Sequence, residues 1–281
     1  DRRPELSAAP ATAGVSATSE APSASDAPTL EGSLEAAAAI PRRVPTPVLL
    51  PSHGATLPTG VTLGASRRVA VMPDDSGVAP ALITALEARE VEVVRLDPEL
   101  SDEAIESLRA EAVDGIFWLP ALDDEGDFLA LEPDALRTAT RRRAKDLHRV
   151  MQALYDTVQG PERFLLGATR MGGQLGAGAS GASAPLGGAV SGFVKTYARE
   201  RPDAVVKVVD FGLDAEPAAV AVALLEEATR DPGPVEVGRA HGRRYTLGLT
   251  EIPAEDGGEP LDLDASSVLV VTGAAGSITS A

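Results

Sequence analysis

The sequence has no cysteine, few aromatic residues and no long apolar run. Without cysteine the chain can form neither a disulfide nor a thiolate nucleophile. No apolar stretch approaches the roughly 18–20 residues that a membrane-spanning helix needs, and the first residues are mostly charged, unlike a signal peptide. These absences lead us to expect a cytoplasmic protein that does not contact a membrane.

Positive charge is also scarce. The chain has 25 Lys and Arg residues against 42 Asp and Glu residues, a net charge of −17. This balance argues against general affinity for nucleic acid or for an anionic membrane. Since aromatic residues make up only 3% of the 281 residues, the core must consist mainly of Ala, Val, Leu and Ile. Such a core suits helices packed closely on a parallel sheet.

The beginning of the chain differs in composition from the rest. Residues 1–35 are mostly Ala, Ser, Pro and Thr, with hardly any large apolar side chain, and are predicted to form a flexible, disordered linker. Residues 36–66 contain five prolines and are predicted to be an extended transition. In this second stretch Val44, Val48, Leu49 and Leu50 are expected to lie along a domain surface.

From residue 67 onward, strand and helix signals alternate. Short β-rich apolar runs predict strands at 68–73, 91–96, 115–120, 163–169 and 205–211. Helices are predicted at 78–89, 101–112, 132–158, 186–200 and 218–229, with Ser101 as an N-cap. Residues 235–238 and 244–249 read as a hairpin. The pattern predicts an α/β fold with a truncated Rossmann-like parallel sheet, flanking helices and an appended hairpin.

The last residues resemble the opening of a dinucleotide site. A run predicted to be a buried strand, Val268–Val271, leads into the turn Thr272-Gly-Ala-Ala-Gly-Ser-Ile-Thr279. In a Rossmann unit such a turn brings the backbone and the next helix to the pyrophosphate, and a residue about 20 positions later reads the ribose. The predicted cofactor-binding residues are Thr272, Gly273, Gly276, Ser277 and Ile278. Because the sequence ends before that helix, we expect the complete protein, but not this piece, to bind a nicotinamide cofactor.

The order of these features resembles the ketoreductase domain of modular polyketide synthases and polyunsaturated fatty acid synthases. There, a truncated, cofactor-free Rossmann half precedes the catalytic short-chain dehydrogenase/reductase half. The resemblance covers about residues 67–281. It is carried by the segment 184–203 with its Glu/Pro turn, by the strand 206–211, and by the hairpin 236–247, similar to the family's Asp-Gly-Arg-Arg-Tyr hairpin. The Ala/Ser/Pro-rich segment 1–35 resembles the linker that follows an acyl carrier domain.

The terminal turn departs from the family pattern. Polyketide ketoreductases commonly have Thr-Gly-Gly-Thr-Gly-Gly-Leu-Gly, of which Gly273 and Gly276 match family glycines. Thr279, in the last position of the turn, resembles the residue that polyunsaturated fatty acid synthases have there.

The resemblance implies that residues 67–262 form the structural subdomain and that residues 263–281 begin the catalytic one. The parent domain would reduce a β-ketoacyl thioester on carrier protein with NADPH, while this chain would buttress the catalytic half and bind no cofactor alone. No catalytic residue is predicted here. The family's Tyr-x-x-x-Lys pair is absent, since Tyr155 is followed by Gln159 and Tyr197 by Arg201. Both tyrosines are therefore expected to serve packing.

Two other functions stay open at this point. One is a self-contained α/β module that binds a nucleotide or small molecule at its own sheet crevice, and the other is a purely scaffolding domain. The glycine-rich run 172–188 lies where phosphate loops occur but lacks their Gly-Lys-Ser/Thr ending, so a mobile loop is predicted. No histidine spacing indicates a metal site, and the acidic run Asp123–Asp127 is read as a solvated loop.

The predicted helix 132–158 carries a basic stripe of Arg137, Arg141, Lys145 and Arg149. Its opposite face is apolar and consists of Leu136, Leu147, Val150, Met151, Leu154 and Val158. The stripe is either a solvated face balanced by nearby carboxylates or a dock for an acidic partner, with acyl carrier protein as the candidate. The other expected partner is the catalytic half of the reductase domain.

Overall fold

A computed structural model describes residues 33–35, 39–40, 42–253, 264, 266–268 and 270. The chain divides into two compact units, of which the larger, Arg43–Ile252, contains the fold. The smaller unit consists of residues 1–42 and 253–281 and contributes only short described stretches. Almost all of the predicted linker and the whole glycine turn that begins at Thr272 lie outside the described residues.

Eight strands form one sheet in the order β1-β8-β7-β6-β5-β4-β2-β3. Neighbouring strands from β3 to β7 in that order are parallel, whereas β8 runs antiparallel to β7. The strands are β1 Arg42–Leu50, β2 Arg68–Met72, β3 Glu92–Arg95, β4 Gly115–Ala121, β5 Phe164–Thr169, β6 Val205–Phe211, β7 Glu236–Ala240 and β8 Arg243–Ile252. The predicted α/β fold with its parallel sheet and appended hairpin is confirmed.

Helices connect the parallel strands and cover both faces of the sheet. They are α1 Val78–Glu87, α2 Asp102–Glu111, α3 Pro133–Thr140, α4 Asp146–Ala153, α5 Gly187–Glu200 and α6 Pro217–Thr229. Short 3-10 turns occur at His53–Ala55 and Phe128–Ala130. The N-cap predicted for α2 is present, since the Ser101 hydroxyl accepts a hydrogen bond from the amide of Ala104.

The core forms two layers because successive strand residues point to opposite faces of the sheet. On one face, Val69, Val71 and Phe117 pack against α1 and α6. On the other face, Ala70 and Trp118 pack with residues of α2, α4 and α5. Burying both faces explains why the central strands read as continuous apolar runs.

The long helix predicted at 132–158 is present from Pro133 to Ala153, but it is not regular. A π-helical turn, Arg141–Lys145, separates α3 from α4, and α4 ends at Ala153. The wider turn places Arg143 in the interior, where the indole N–H of Trp118 donates to its carbonyl oxygen at 2.8 Å. The π-helical turn is therefore accompanied by a tertiary hydrogen bond to one of its backbone carbonyl groups. As a result Leu136 is only half-buried, whereas Leu147 and Val150 are buried.

A buried charge cluster joins α6 to the hairpin. The Glu227 carboxylate is fully buried and accepts hydrogen bonds from Arg244, from Arg239 and from the Lys207 ammonium. Lys207 also donates to the carbonyl oxygens of Glu227 and Arg230, at 2.9 and 2.7 Å. Burial lowers the pKa of Lys207, although Glu227 opposes this effect. Arg244 belongs to the Arg-Arg-Tyr sequence that carries the family resemblance, and its role here is structural.

Candidate functional site

The first place to look for a ligand site in this fold is the carboxyl edge of the sheet between β2 and β4. The chain leaves β2 toward β3 on one side, and then returns past β2 to β4 on the other. In open α/β sheets, ligands bind in the crevice that such a reversal creates. The loop after β2 leads directly into α1, whose N-terminus corresponds to the phosphate position of a dinucleotide fold.

The side chain of Asp74 occupies that helix N-terminus. One carboxylate oxygen accepts from the amides of Ser76 and Val78 at 3.0 and 3.1 Å, and the other accepts from the amide of Ala79 at 2.7 Å. The Ser76 hydroxyl donates to the same carboxylate. Gly77, with a φ of 92°, supplies the left-handed turn that points these amides inward. The donors that would bind a phosphate are therefore already bound by the protein's own anion.

A second set of charges closes the crevice between the β2 and β4 loops. The amide of Asp75 donates to Asp123 at 2.6 Å, while the Asp75 carboxylate accepts from Arg142 at 2.6 Å. Arg142 also pairs with Asp123 at 3.3 Å, and Arg143 pairs with Glu125 at 3.5 Å. Burial raises the pKa of Asp123 and of Glu125, and the arginines partly oppose this effect. Both arginines come from the π-helical turn.

The space that remains beside these groups is acidic. A cavity of about 360 Å³ is lined by Asp123, Asp124 and Glu125, together with Ser76, Ser183 and Arg170. Its carboxylates outnumber its one cationic side chain. A ligand with two or more phosphate charges would meet electrostatic repulsion there.

The glycine-rich run 172–188 is attached to the sheet at its beginning. The buried Asp210 carboxylate accepts from the Thr169 hydroxyl at 2.8 Å and from the amides of Met171 and Leu175 at 2.5 and 2.8 Å. Burial raises the pKa of Asp210, and these donors oppose the rise because they favour the charged form. The amides of Met171 and Leu175 are therefore bound by a carboxylate of the protein and are not free to bind a phosphate.

The two tyrosines lie in a groove between α4 and α5. Tyr197 is buried, stacks on Phe193 and contacts Tyr155 edge to face, at ring-centroid distances of 5.9 and 6.2 Å. Its hydroxyl has no hydrogen-bond partner among the described residues. Burial raises the pKa of Tyr197 to about 12, which is unsuited to proton donation near neutral pH. The Arg201 guanidinium lies 3.5 Å from the centre of the Tyr155 ring. Both tyrosines serve packing in this arrangement.

The structure does not describe the predicted cofactor-binding residues, and Val268 and Val270, the two described residues of the strand predicted before them, are exposed and lie in no strand. Thr272, Gly273, Gly276, Ser277 and Ile278 all lie outside the described residues. In the part of the chain that is described, no three histidine or acidic side chains are grouped to hold a metal ion. No described helix is both long and apolar enough to cross a membrane.

The basic stripe is divided by the π-helical turn. Arg137 pairs with Asp134, and Arg141 lies 3.7 Å from Asp146. Arg149 is bound more firmly, by Asp146 at 2.8 Å and Asp102 at 2.5 Å. Lys145 is exposed and has no ion pair among the described residues. Arg137, Arg141 and Lys145 are thus available to solvent, whereas Arg149 is largely used within the fold.

No family model and no curated protein matches this sequence. Among solved structures, the chain is similar to a multidomain structure with the adenylation, ketoreductase and pseudo Asub parts of a keto acid-selecting NRPS module. That match has a TM-score of 0.57 and 15% identity, and covers 75% of this chain and 18% of that one. At this identity the likeness shows a shared fold. The chain spans less than a fifth of that structure's length.

Two further solved structures have lower scores. A C2-type ketoreductase from a modular polyketide synthase matches with a TM-score of 0.45 and 21% identity, over 70% of this chain and 43% of that one. A short-chain dehydrogenase from Mycobacterium smegmatis matches with a TM-score of 0.47 and 15% identity, over 60% of this chain and 88% of that one.

The sequence pattern predicts a break between the strand 68–73 and the helix 78–89, but it does not predict the role of Asp74. The signal was available, because an Asp two residues before a Ser or Gly commonly bonds to the backbone of the turn that follows. The cluster around Glu227 had no comparable local signal, since its members come from β6, α6, β7 and β8.

Proposed function

We propose that this chain is the non-catalytic, structural half of a ketoreductase domain in a polyketide or fatty acid synthase. In this proposal its Rossmann-like sheet supports a second, nicotinamide-binding half. The parent reaction is hydride transfer from NADPH to a β-ketoacyl thioester on carrier protein, giving the β-hydroxyacyl thioester. The fold likeness to a structure that includes a ketoreductase, and the sequence resemblance in residues 184–211 and 236–247, support this assignment.

The observation that carries the proposal is the position of Asp74. A Rossmann half that binds a dinucleotide leaves the N-terminus of its first helix open to the pyrophosphate. In this chain Asp74 binds three amides there, and the nearby cavity is lined by Asp123, Asp124 and Glu125. The sheet keeps the architecture of a cofactor-binding half while its own carboxylates take the place of the cofactor's phosphates.

The same observation argues against a self-contained nucleotide-binding module. To bind a phosphate at α1, the chain would have to displace Asp74 and lose its hydrogen bonds to the helix. An anion would also approach the carboxylates of Asp75 and Asp123, which are bridged to each other through Arg142. If the chain were a scaffolding domain without any reductase partner, the complete protein would not reduce a ketone. Our proposal predicts that the complete protein does.

Calorimetric titration of the chain with NADPH tests the absence of a cofactor site. We expect no saturable heat up to millimolar NADPH, at which a binding free energy would be only about −4 kcal/mol. A parallel titration with the Asp74→Gly variant opens the helix N-terminus and serves as a comparison. Saturable binding by the wild-type chain would refute the proposal in favour of a self-contained module.

The exposed part of the basic stripe is proposed as a surface for an acidic carrier protein. Arg137, Arg141 and Lys145 are positively charged and face solvent in a chain of net charge −17. Arg149 is excluded from this surface because Asp146 and Asp102 bind it. Attraction between opposite charges would speed association more than it would strengthen the final complex.

A further inference from the structure

The outer strands of the sheet form a ribbon that extends beyond its neighbours. β7 pairs with β8 only from Arg243 to Tyr245, so residues 246–252 of β8 have β1 as their strand partner. We name residues 42–49 of β1 and 246–252 of β8 the outer ribbon. At roughly 3.4 Å per residue, the seven residues of β8 extend the ribbon by about 24 Å.

The outer ribbon presents large apolar side chains on both faces. Val48 lies across Gly248, where a Cβ atom would come within 2.7 Å of the Val48 side chain, so these two residues share one face. Leu49 and Leu249 follow them in sequence and therefore point to the opposite face. Leu249 is 69% exposed, Leu49 57% and Val48 47%. Val44 and Ile252 add exposed apolar surface on the Val48 face. Isolated two-stranded ribbons are marginally stable, and such concentrated apolar exposure marks an interaction surface.

The free edge of the ribbon is unsuited to accept another strand. β1 is the terminal strand of the sheet, and it contains Pro45 and Pro47. Prolines two residues apart remove two amide donors from the same edge, and prolines in a sheet face the unpaired side. A partner is therefore expected to pack on the faces of the ribbon instead of extending the sheet.

We propose that the outer ribbon is the docking surface for the catalytic half of the reductase domain, an inference that rests on the function proposed above. The outer ends of the two strands meet, as the ion pair of Arg43 with Glu251 at 3.9 Å shows. The chain enters β1 and leaves β8 at this tip, so a catalytic half that follows β8 in the complete domain would be tethered to this end of the ribbon. A second copy of the chain would instead bring another net charge of −17 to the same surface.

The test uses the complete reductase domain, in which this chain is continuous with its catalytic half. Amide hydrogen exchange of residues 246–252 is compared between the complete domain and this chain alone. We expect exchange to be at least about tenfold slower in the complete domain, because packing on the ribbon suppresses local opening. Equal exchange in the two proteins overturns the proposal.

A pair of variants separates docking from stability of the ribbon. Since Leu49 and Leu249 are exposed in this chain, L49S combined with L249S should leave the melting temperature of the chain unchanged. In the complete domain the same pair should lower the melting temperature by about 4 °C or more. Leu129, which is 91% exposed on the 3-10 turn Phe128–Ala130, provides the control L129S, expected to change neither protein.

Four outcomes are distinguishable. A complete domain that is protected at the ribbon and destabilised only by the double variant supports the inference. A domain that reduces ketones but shows neither effect refutes this inference and leaves the proposed function standing, whereas a domain without NADPH-dependent reduction refutes the proposed function itself. Dimerisation of this chain in sedimentation experiments, lost in the double variant, would make a second copy the occupant and overturn the inference.

Discussion

Arg244 binds Glu227 through two hydrogen bonds of 2.8 Å each, one to each carboxylate oxygen, in the interior of the protein. This bidentate pair fixes the start of β8 to the end of α6. Burial alone would raise the pKa of Glu227, but Arg244, Lys207 and Arg239 outweigh it and lower the pKa to about 2. The pair therefore links the stability of the fold to pH.

The first prediction concerns the Glu227→Gln variant. Removing this charge leaves buried cations without their counterion, so the free energy of unfolding at pH 7 should fall by about 3–5 kcal/mol. Urea unfolding measures the loss. The matched control is Glu226→Gln, the adjacent and half-exposed glutamate, whose loss should be within about 1 kcal/mol. Equal losses in the two variants would contradict the role assigned to Glu227.

The second prediction concerns acid. A pKa near 2 in the folded state, against 4.5 for an ordinary glutamate, corresponds to about 3 kcal/mol of stability. Because the pKa is depressed by folding, this contribution is present above pH 4.5 and is lost as the pH falls toward 2. The gap in unfolding free energy between the wild type and Glu227→Gln should therefore narrow between pH 5 and pH 3. A gap that stays constant would show that Glu227 does not titrate as described.

The third prediction concerns Asp74. The Asp74→Ala variant should lose about 1–2 kcal/mol of unfolding free energy, since three amides and a hydroxyl lose their acceptor. Asp97→Ala is the control, because Asp97 accepts a single amide bond, from Glu99, on the surface. If both variants unfold at the same urea concentration, the Asp74 carboxylate does not hold the N-terminus of α1.

The fourth prediction concerns the exposed basic residues. The double variant R141E and K145E should slow association with an acidic carrier protein by about tenfold at low salt, with little effect near 1 M salt. Stopped-flow or surface-binding measurements give the association rate. Arg109→Glu combined with Arg199→Glu makes the same change in net charge at exposed residues of α2 and α5 and is the control. Equal effects of the variants would assign the change to net charge instead of to this surface.

Much of the fold was predictable because strand and helix periods are local properties of the sequence. The runs around Val69, Ile116 and Leu165 are buried on both faces, which makes them readable as parallel strands. The π-helical turn inside the helix predicted at 132–158 has a long-range cause. Trp118, on β4, donates a hydrogen bond to the carbonyl oxygen of Arg143 in the π-helical turn. The helix propensities of residues 141–145 give no indication of this contact.

The candidate site was less predictable than the fold. The glycine motif that begins at Thr272 predicts a cofactor-binding turn. The informative residue in the described structure is instead Asp74, which follows β2. Whether a carboxylate caps a helix or repels a ligand depends on the backbone around it, which three or four sequence letters do not specify. The crevice salt bridges of Arg142 and Arg143 depend in turn on the π-helical turn that the sequence did not reveal.

The central claim is that this chain contributes structure, not chemistry, to a reductase. The most direct test measures NADPH oxidation with a model β-ketoacyl thioester, using the catalytic half alone and then with this chain added. We predict that the addition raises both the rate and the melting temperature of the catalytic half, while this chain alone oxidises no NADPH. If the catalytic half is equally active and equally stable without this chain, the structural role proposed here is wrong.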